Sequence, residues 1–160
     1  MWKKPDIEKS IKYFKDALNI DEKNKTSLRS LSMIIRNKNV TSNEEKQQIA
    51  KESLDYAKKA ISLDMKDALS WYVYGNAYFY KAFIDKTQYN DLRYALSAYN
   101  KSQEKKSKYK NPDLYYNRGV VHAYLENYEN AYEDFNEANN IEQALISNEL
   151  CNNITETTFN

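Results

Sequence analysis

The sequence predicts an all-α protein made of antiparallel helix pairs, and three observations carry that expectation. Only two glycines and two prolines occur in 160 residues, so tight turns and phosphate-cradling loops have almost nothing to build from. A bulky residue is followed four positions later by glycine in two places, Trp71 with Gly75 and Tyr115 with Gly119, which sets each pair on one helical face. Further along each unit come small, large and small residues at offsets of four and three: Ala95, Tyr99 and Ser102, then Ala131, Phe135 and Ala138. A small residue lets two helices approach closely, and the aromatic fills the gap beside it. At this length the chain suits one domain with a continuous core.

The constellation is the 34-residue tetratricopeptide signature, and the rest of the chain can be placed in its frame. The expected fold class is a tetratricopeptide-repeat helical solenoid, antiparallel helix pairs in a right-handed superhelix, over residues 1–150. Ser10, Phe14 and Ala17 take second-helix positions in a truncated first repeat at 1–22, whose first helix is almost absent. Leu28, Leu31-Ser32 and Ile35 belong to a first helix at 25–36 in a repeat spanning 25–65. Ser53, Ala57 and Ala60 mark its partner, with alanine where the usual aromatic would stand. Ser42-Asn43-Glu44-Glu45 reads as a capping box opening that partner. The next repeat spans 68–107 and the last 112–142. Asn111-Pro112-Asp113 opens the last one, with Asn as cap, Pro in the first turn and an acid at the positive end of the helix dipole. A capping helix is expected at 143–151, covering the last repeat's apolar face, and a disordered polar tail at 152–160.

The spacing departs from the plain period. Phe14 to Ala57 spans 43 positions, an insertion centred on residues 37–41. Gly75 to Gly119 spans 44, the excess divided between 84–93 and 105–111. Insertions of this kind point to a particular subfamily of repeat.

Charge and composition narrow the function classes. A formal net charge of +1 gives no global pull toward nucleic acid or an anionic membrane. No apolar run approaches the roughly 20 residues of a membrane helix, and the N-terminus has no apolar signal core. The single cysteine, Cys151, fits a reducing compartment, so the cytoplasm is expected, with the nucleus as the alternative. His122 is the only histidine, which leaves no zinc set and no Cys/His nucleophile; packing within its helix pair is its expected role. Glu126, Glu129, Glu133 and Asp134 read as a solvated face, not a catalytic carboxylate pair. No enzyme activity, cofactor or metal is implied. Lys101, Lys105, Lys106, Lys108 and Lys110, with Tyr109 among them, read first as a solvated basic loop and second as a ribosome or RNA contact.

Several segments and the insertions together resemble the tetratricopeptide repeat protein 5 family in its central repeat region. They are Trp2-Lys3-Lys4, Leu31-Ser32-Met33-Ile34-Ile35-Arg36, Ser70-Trp71-Tyr72-Val73-Tyr74-Gly75-Asn76, Ala95-Leu96-Ser97-Ala98-Tyr99, Asn111-Pro112-Asp113-Leu114 and Asn117-Arg118. The family has glycine at the place of Pro5. The likeness runs from about residue 2 to Ala138. It implies a stress-responsive transcriptional cofactor and a factor that recognises the N-terminal tetrapeptide of nascent tubulin on ribosomes. It also implies further repeats on the N-terminal side and a C-terminal β-barrel, so the chain is expected to be a central fragment or a short relative.

In such a solenoid the first helices line the concave groove. Beside the core stripe, the groove positions fall at Arg29, Met33 and Arg36 on the first helix. On the second they are Leu69, Tyr72, Asn76 and Phe79, and on the third Asp113, Tyr116, Val120 and Ala123. Two arginines, an amide and a carboxylate over aromatic residues suit an extended peptide. Arg36 can pair with a carboxylate, Asn76 can donate to and accept from a peptide unit, and Asp113 can receive an ammonium or guanidinium group. Tyr72 and Tyr116 would cover the ligand's apolar parts. The resemblance implies matching residues at Arg36, Asn76 and Asp113. The expected function is thus a non-catalytic protein- or peptide-binding module, with no membrane or DNA partner. The alternative is a structural adaptor in a multiprotein complex, working through its outer helix faces.

Overall fold

A computed structural model describes residues 6–84, 88–105 and 110–158. Among them are seven α-helices and no strand: α1 (Ile7–Ile20), α2 (Lys25–Ile34), α3 (Asn43–Leu63), α4 (Ala68–Ala82), α5 (Gln88–Glu104), α6 (Pro112–Tyr124) and α7 (Tyr128–Thr158). A 3₁₀ turn, Ile35–Asn37, continues α2. The chain divides into two compact units, Met1–Lys106 and Ser107–Asn160.

Polar caps decide where the helices begin. The side chains of Asp6, Asn24, Ser42, Asp67 and Asn111 each accept a hydrogen bond from a backbone N–H in the helix that follows, satisfying one of the donors that a helix start leaves open. The links from α1 to α2 and from α3 to α4 use one device twice. Asp21 accepts from the N–H of Lys23 and Asp64 from that of Lys66, both at 3.0 Å. Such Asx turns end one helix and deliver the next residue, Asn24 or Asp67, as the new cap.

In the first unit α1 packs on α2, α2 on α3, α3 on α4 and α4 on α5, and α2 also meets α4 directly. The α1–α3 core gathers Ile11, Leu31, Ile35 and Ile49, with Phe14 and Leu18 against them. Where α2 crosses α3, Ser32 and Ser53 are fully buried and exchange hydrogen bonds: each hydroxyl donates to the other's carbonyl at 2.8 Å. That exchange needs close backbones. At its other contact α3 meets α4 through Ala57, fully buried against Val73 and Ala77, where a small side chain lets the two helices approach. Where α4 crosses α5 the close approach uses glycine. A Cβ added at Gly75 would lie 2.5 Å from Cε1 of Tyr99.

The second unit is the hairpin of α6 and α7. Here Gly119 sits under Phe135 in the same way, a Cβ falling 2.8 Å from the ring. Arg118 and Asp134 form a buried two-pronged ion pair, Nε to Oδ2 at 2.7 Å and Nη2 to Oδ1 at 2.6 Å. Glu126 turns the hairpin with φ at 62°.

Four sequence expectations change. Asp134, expected on a solvated face with Glu126, Glu129 and Glu133, is buried because Arg118 on the facing helix pairs with it. The helix expected over 25–36 is α-helical only to Ile34, so Arg36 lies in the 3₁₀ turn. The insertion at 37–41 leaves only a short loop; most of the extra length goes into α3, which runs 21 residues. At the C-terminal end a separate capping helix at 143–151 and a disordered tail at 152–160 were expected. Instead α7 is one helix of 31 residues reaching Thr158, and no glycine or proline after Gly119 is present to interrupt it.

Candidate functional site

The first unit brings Arg36, Tyr72 and Asn76 together. The 3₁₀ turn after α2 carries Arg36 against α4. Its guanidinium is largely withdrawn from water, and that burial holds its pKa below the usual arginine value; Tyr99, Tyr72 and Tyr80 are close enough to interact with the charge. No carboxylate among the described residues pairs with it. Removing a cation from water costs several kcal/mol unless an anion compensates, so Arg36 is a desolvated charge whose counter-ion the described residues do not supply.

Asn76, half-buried on α4, is engaged from below. The Tyr99 hydroxyl donates to Asn76 Oδ1 at 2.7 Å. Tyr99 is fully buried, its ring 6.2 Å from that of Tyr72. Burial pushes the Tyr99 hydroxyl far above the usual phenol value, with Tyr72 adding to the rise and Arg36 opposing it; the group is a neutral hydrogen-bond donor at any ordinary pH.

The other expected positions are placed as follows. Arg29 is held by Asp67 at 2.5 Å. Burial raises the Asp67 carboxyl, but hydrogen bonds from Ser70 and Arg29 outweigh it and leave the pKa below normal. Arg29 therefore ties α2 to the N-terminal cap of α4. Met33 and Leu69 are exposed, at 37% and 43%. Phe79 is half-buried and meets Phe83 edge to face at 5.3 Å. In the second unit Asp113 is exposed in the first turn of α6, Tyr116 is exposed with its ring 5.6 Å from that of Phe135, and Val120 and Ala123 are half-buried. Of the basic run, Lys101 lies over the Trp71 ring at 4.5 Å and Lys110 pairs with Glu137 at 2.6 Å. Lys106, Lys108 and Tyr109, like Trp2-Lys3-Lys4 and Pro5, lie outside the described residues.

Tyr80 and Tyr99 were not among the expected groove residues. Tyr80 is one helical turn beyond Asn76, and that spacing alone could have added it. Tyr99 reads as a core filler in the sequence; the signal was its hydroxyl, which a filler does not need. Among the described residues no group of histidine, cysteine and acid side chains could hold a metal ion, and no helix is long and apolar enough to cross a membrane.

Helix pairs closed by a glycine under an aromatic, repeated in register with a shared turn chemistry, define a tetratricopeptide-repeat protein. No family model matches the chain. Tetratricopeptide repeat protein 5 from Bos taurus and from Mus musculus are each 38% identical to it over 138 residues, and that from Homo sapiens 36%. The chain therefore belongs to the tetratricopeptide repeat protein 5 family. The match covers 86% of this chain and 31% of each relative, so the chain spans about a third of their length. The crystal structure of MamA aligns over 92% of this chain and 99% of its own at 15% identity and a TM-score of 0.35, a likeness too slight to bear on function.

Proposed function

We propose that the chain binds an extended peptide across α2 and α4, with a carboxylate of that peptide seated on Arg36. The observation that supports this most is the half-buried guanidinium of Arg36, near enough to Tyr72, Tyr80 and Tyr99 for their hydroxyls to act on its charge and lacking a carboxylate partner among the described residues. Evolution has little reason to bury a positive charge without compensation, and planar two-pronged recognition of carboxylate is what arginine does best. Asn76, one turn beyond Tyr72, supplies an amide for the peptide main chain. Family membership makes the N-terminal segment of nascent tubulin, which carries an amine, an arginine, a glutamate and an apolar residue, the first peptide to test. A transcriptional-cofactor partner is the second.

The test is a titration of a synthetic peptide with that tubulin start against the protein and its Arg36→Ala variant. We expect the variant to bind at least about tenfold more weakly, the loss of one charge-assisted pair. Its thermal midpoint should be equal or higher, since an uncompensated charge has been removed. Unchanged affinity would exclude Arg36 as the anchor and favour an adaptor working through the outer helix faces.

A further inference from the structure

We infer that the side of α4 turned away from Arg36 is a second binding surface, a furrow between α3 and α5 that takes an acidic segment of a partner protein. Helical periodicity puts Tyr72, Asn76 and Tyr80 on one side of α4 and Trp71, Tyr74 and Tyr78 on the other. Both α3 and α5 pack on α4, with little contact between themselves, so the second set floors a slot between them. Ile61 of α3 and Ala98 of α5 close one end of it against Trp71. From there the rings run in sequence. Trp71 and Tyr74 have centroids 6.1 Å apart, Tyr74 and Tyr78 5.0 Å, and Tyr78 and Tyr94 of α5 5.1 Å. Tyr94 is 57% exposed.

The polar groups along this slot offer protons. Lys101 of α5 lies over the Trp71 ring at 4.5 Å. Lys58, one turn before Ile61 on α3, is near enough to Tyr74 to act on its hydroxyl. Both lysines are exposed, and no carboxylate among the described residues pairs with either. The Tyr74 hydroxyl donates to that of Tyr78 at 3.3 Å, which leaves the Tyr78 proton for an acceptor outside. Closure of the three helices does not require an exposed tyrosine or two unpaired lysines, since Ala57 against Val73 and Ala77, and Gly75 against Tyr99, already provide it. Ammonium groups and phenol protons beside ring faces match an anionic chain whose apolar stems can lie on the rings. Carboxylates suit the furrow better than a phosphate backbone. Asp55 stands three residues before Lys58 and Glu104 three after Lys101, both exposed. Separate carboxylates can reach the lysines past these acids, whereas a continuous line of phosphates would meet them too.

Trp71 itself reports on the furrow. In a Trp2→Phe background it is the one remaining tryptophan, and its emission is followed as a short oligoglutamate is added at low salt. We expect a saturable change. Lys58→Glu combined with Lys101→Glu should raise the half-saturation concentration at least about tenfold, because two attractive contacts become repulsive. Lys12→Glu combined with Lys51→Glu makes the same change of net charge at exposed lysines elsewhere on α1 and α3, and should leave that concentration within about twofold. Tyr94→Ala, which removes a ring and no charge, should weaken binding about threefold. The absence of a saturable change, equal losses in the two double variants, or an unaltered Tyr94→Ala overturns the proposal. Tighter binding of an oligouridylate of the same length, with the steep salt dependence of phosphate contacts, overturns it in favour of RNA. None of these variants touches the Arg36 side of α4, so the tubulin-start titration succeeds or fails separately.

Discussion

Replacing Gly75 by alanine sets two magnitudes of similar size against each other. Glycine inside a helix costs about 1 kcal/mol relative to alanine, so on propensity alone Gly75→Ala should stabilise α4. The structure opposes this. The new methyl would lie 2.5 and 2.6 Å from two ring carbons of Tyr99 and 3.1 Å from a third, where carbon atoms prefer roughly 3.5–4.0 Å. Because Tyr99 is completely buried, its ring cannot retreat without shifting α5, and overpacking of that kind costs about 1–3 kcal/mol, occasionally more. We expect a net destabilisation of up to about 2 kcal/mol, read as a lower urea midpoint by circular dichroism and a thermal midpoint lowered by up to about 8 °C. Gly119→Ala is the internal control. Its methyl would fall 2.8 and 2.9 Å from the Phe135 ring and 3.2 Å from the Ala131 carbonyl oxygen; Phe135 is 36% exposed and can swing outward, which leaves only the milder backbone contact. There the propensity gain should nearly cancel the crowding, leaving stability within about 1 kcal/mol of wild type. A stabilised Gly75→Ala, or a Gly119→Ala as damaging as Gly75→Ala, would refute the packing account.

Two further outcomes test the second unit. His122 is buried with Nδ1 lacking a hydrogen-bond partner; burial lowers its pKa from 6.5, Asp134 opposes the drop and Arg118 adds to it. A depressed imidazole pKa means the unfolded chain takes up the proton first, so stability is complete above about pH 6.5 and falls as pH drops below it. Thermal midpoints between pH 8 and pH 5 should decline less in His122→Asn than in wild type, and parallel profiles would count against it. Glu126→Gly relieves a left-handed residue at φ 62° and should raise stability by about 0.5–1 kcal/mol, the local strain less the added freedom of the unfolded chain. A lower midpoint would show that the Glu126 side chain matters more than its backbone.

The sequence alone determined the helix pairs, because their signals are local. Trp71 and Gly75, Ala131, Phe135 and Ala138, and the caps Ser42 and Asn111 each act within a few residues, through side-chain volume or one hydrogen bond to the backbone. The length of α7 is less legible, because a polar composition suits a tail and an exposed helix alike, and Asn152 to Thr158 holds no residue that must end a helix. The site was legible only in part. Stripe arithmetic placed Arg36, Tyr72 and Asn76 on one side of their helices, but it treated Arg29 and Arg36 as equals. Only tertiary structure distinguished them: Asp67, brought beside Arg29 by the turn that starts α4, neutralises one arginine, while the 3₁₀ turn carries the other near three tyrosines and, among the described residues, no acid. Tyr99 shows the same division. Its volume could be read from the repeat pattern, whereas the 2.7 Å bond to Asn76 arises only once Gly75 lets α5 close on α4. Periodicity reports which face a residue occupies; what that residue meets there depends on a neighbouring helix far away in the chain.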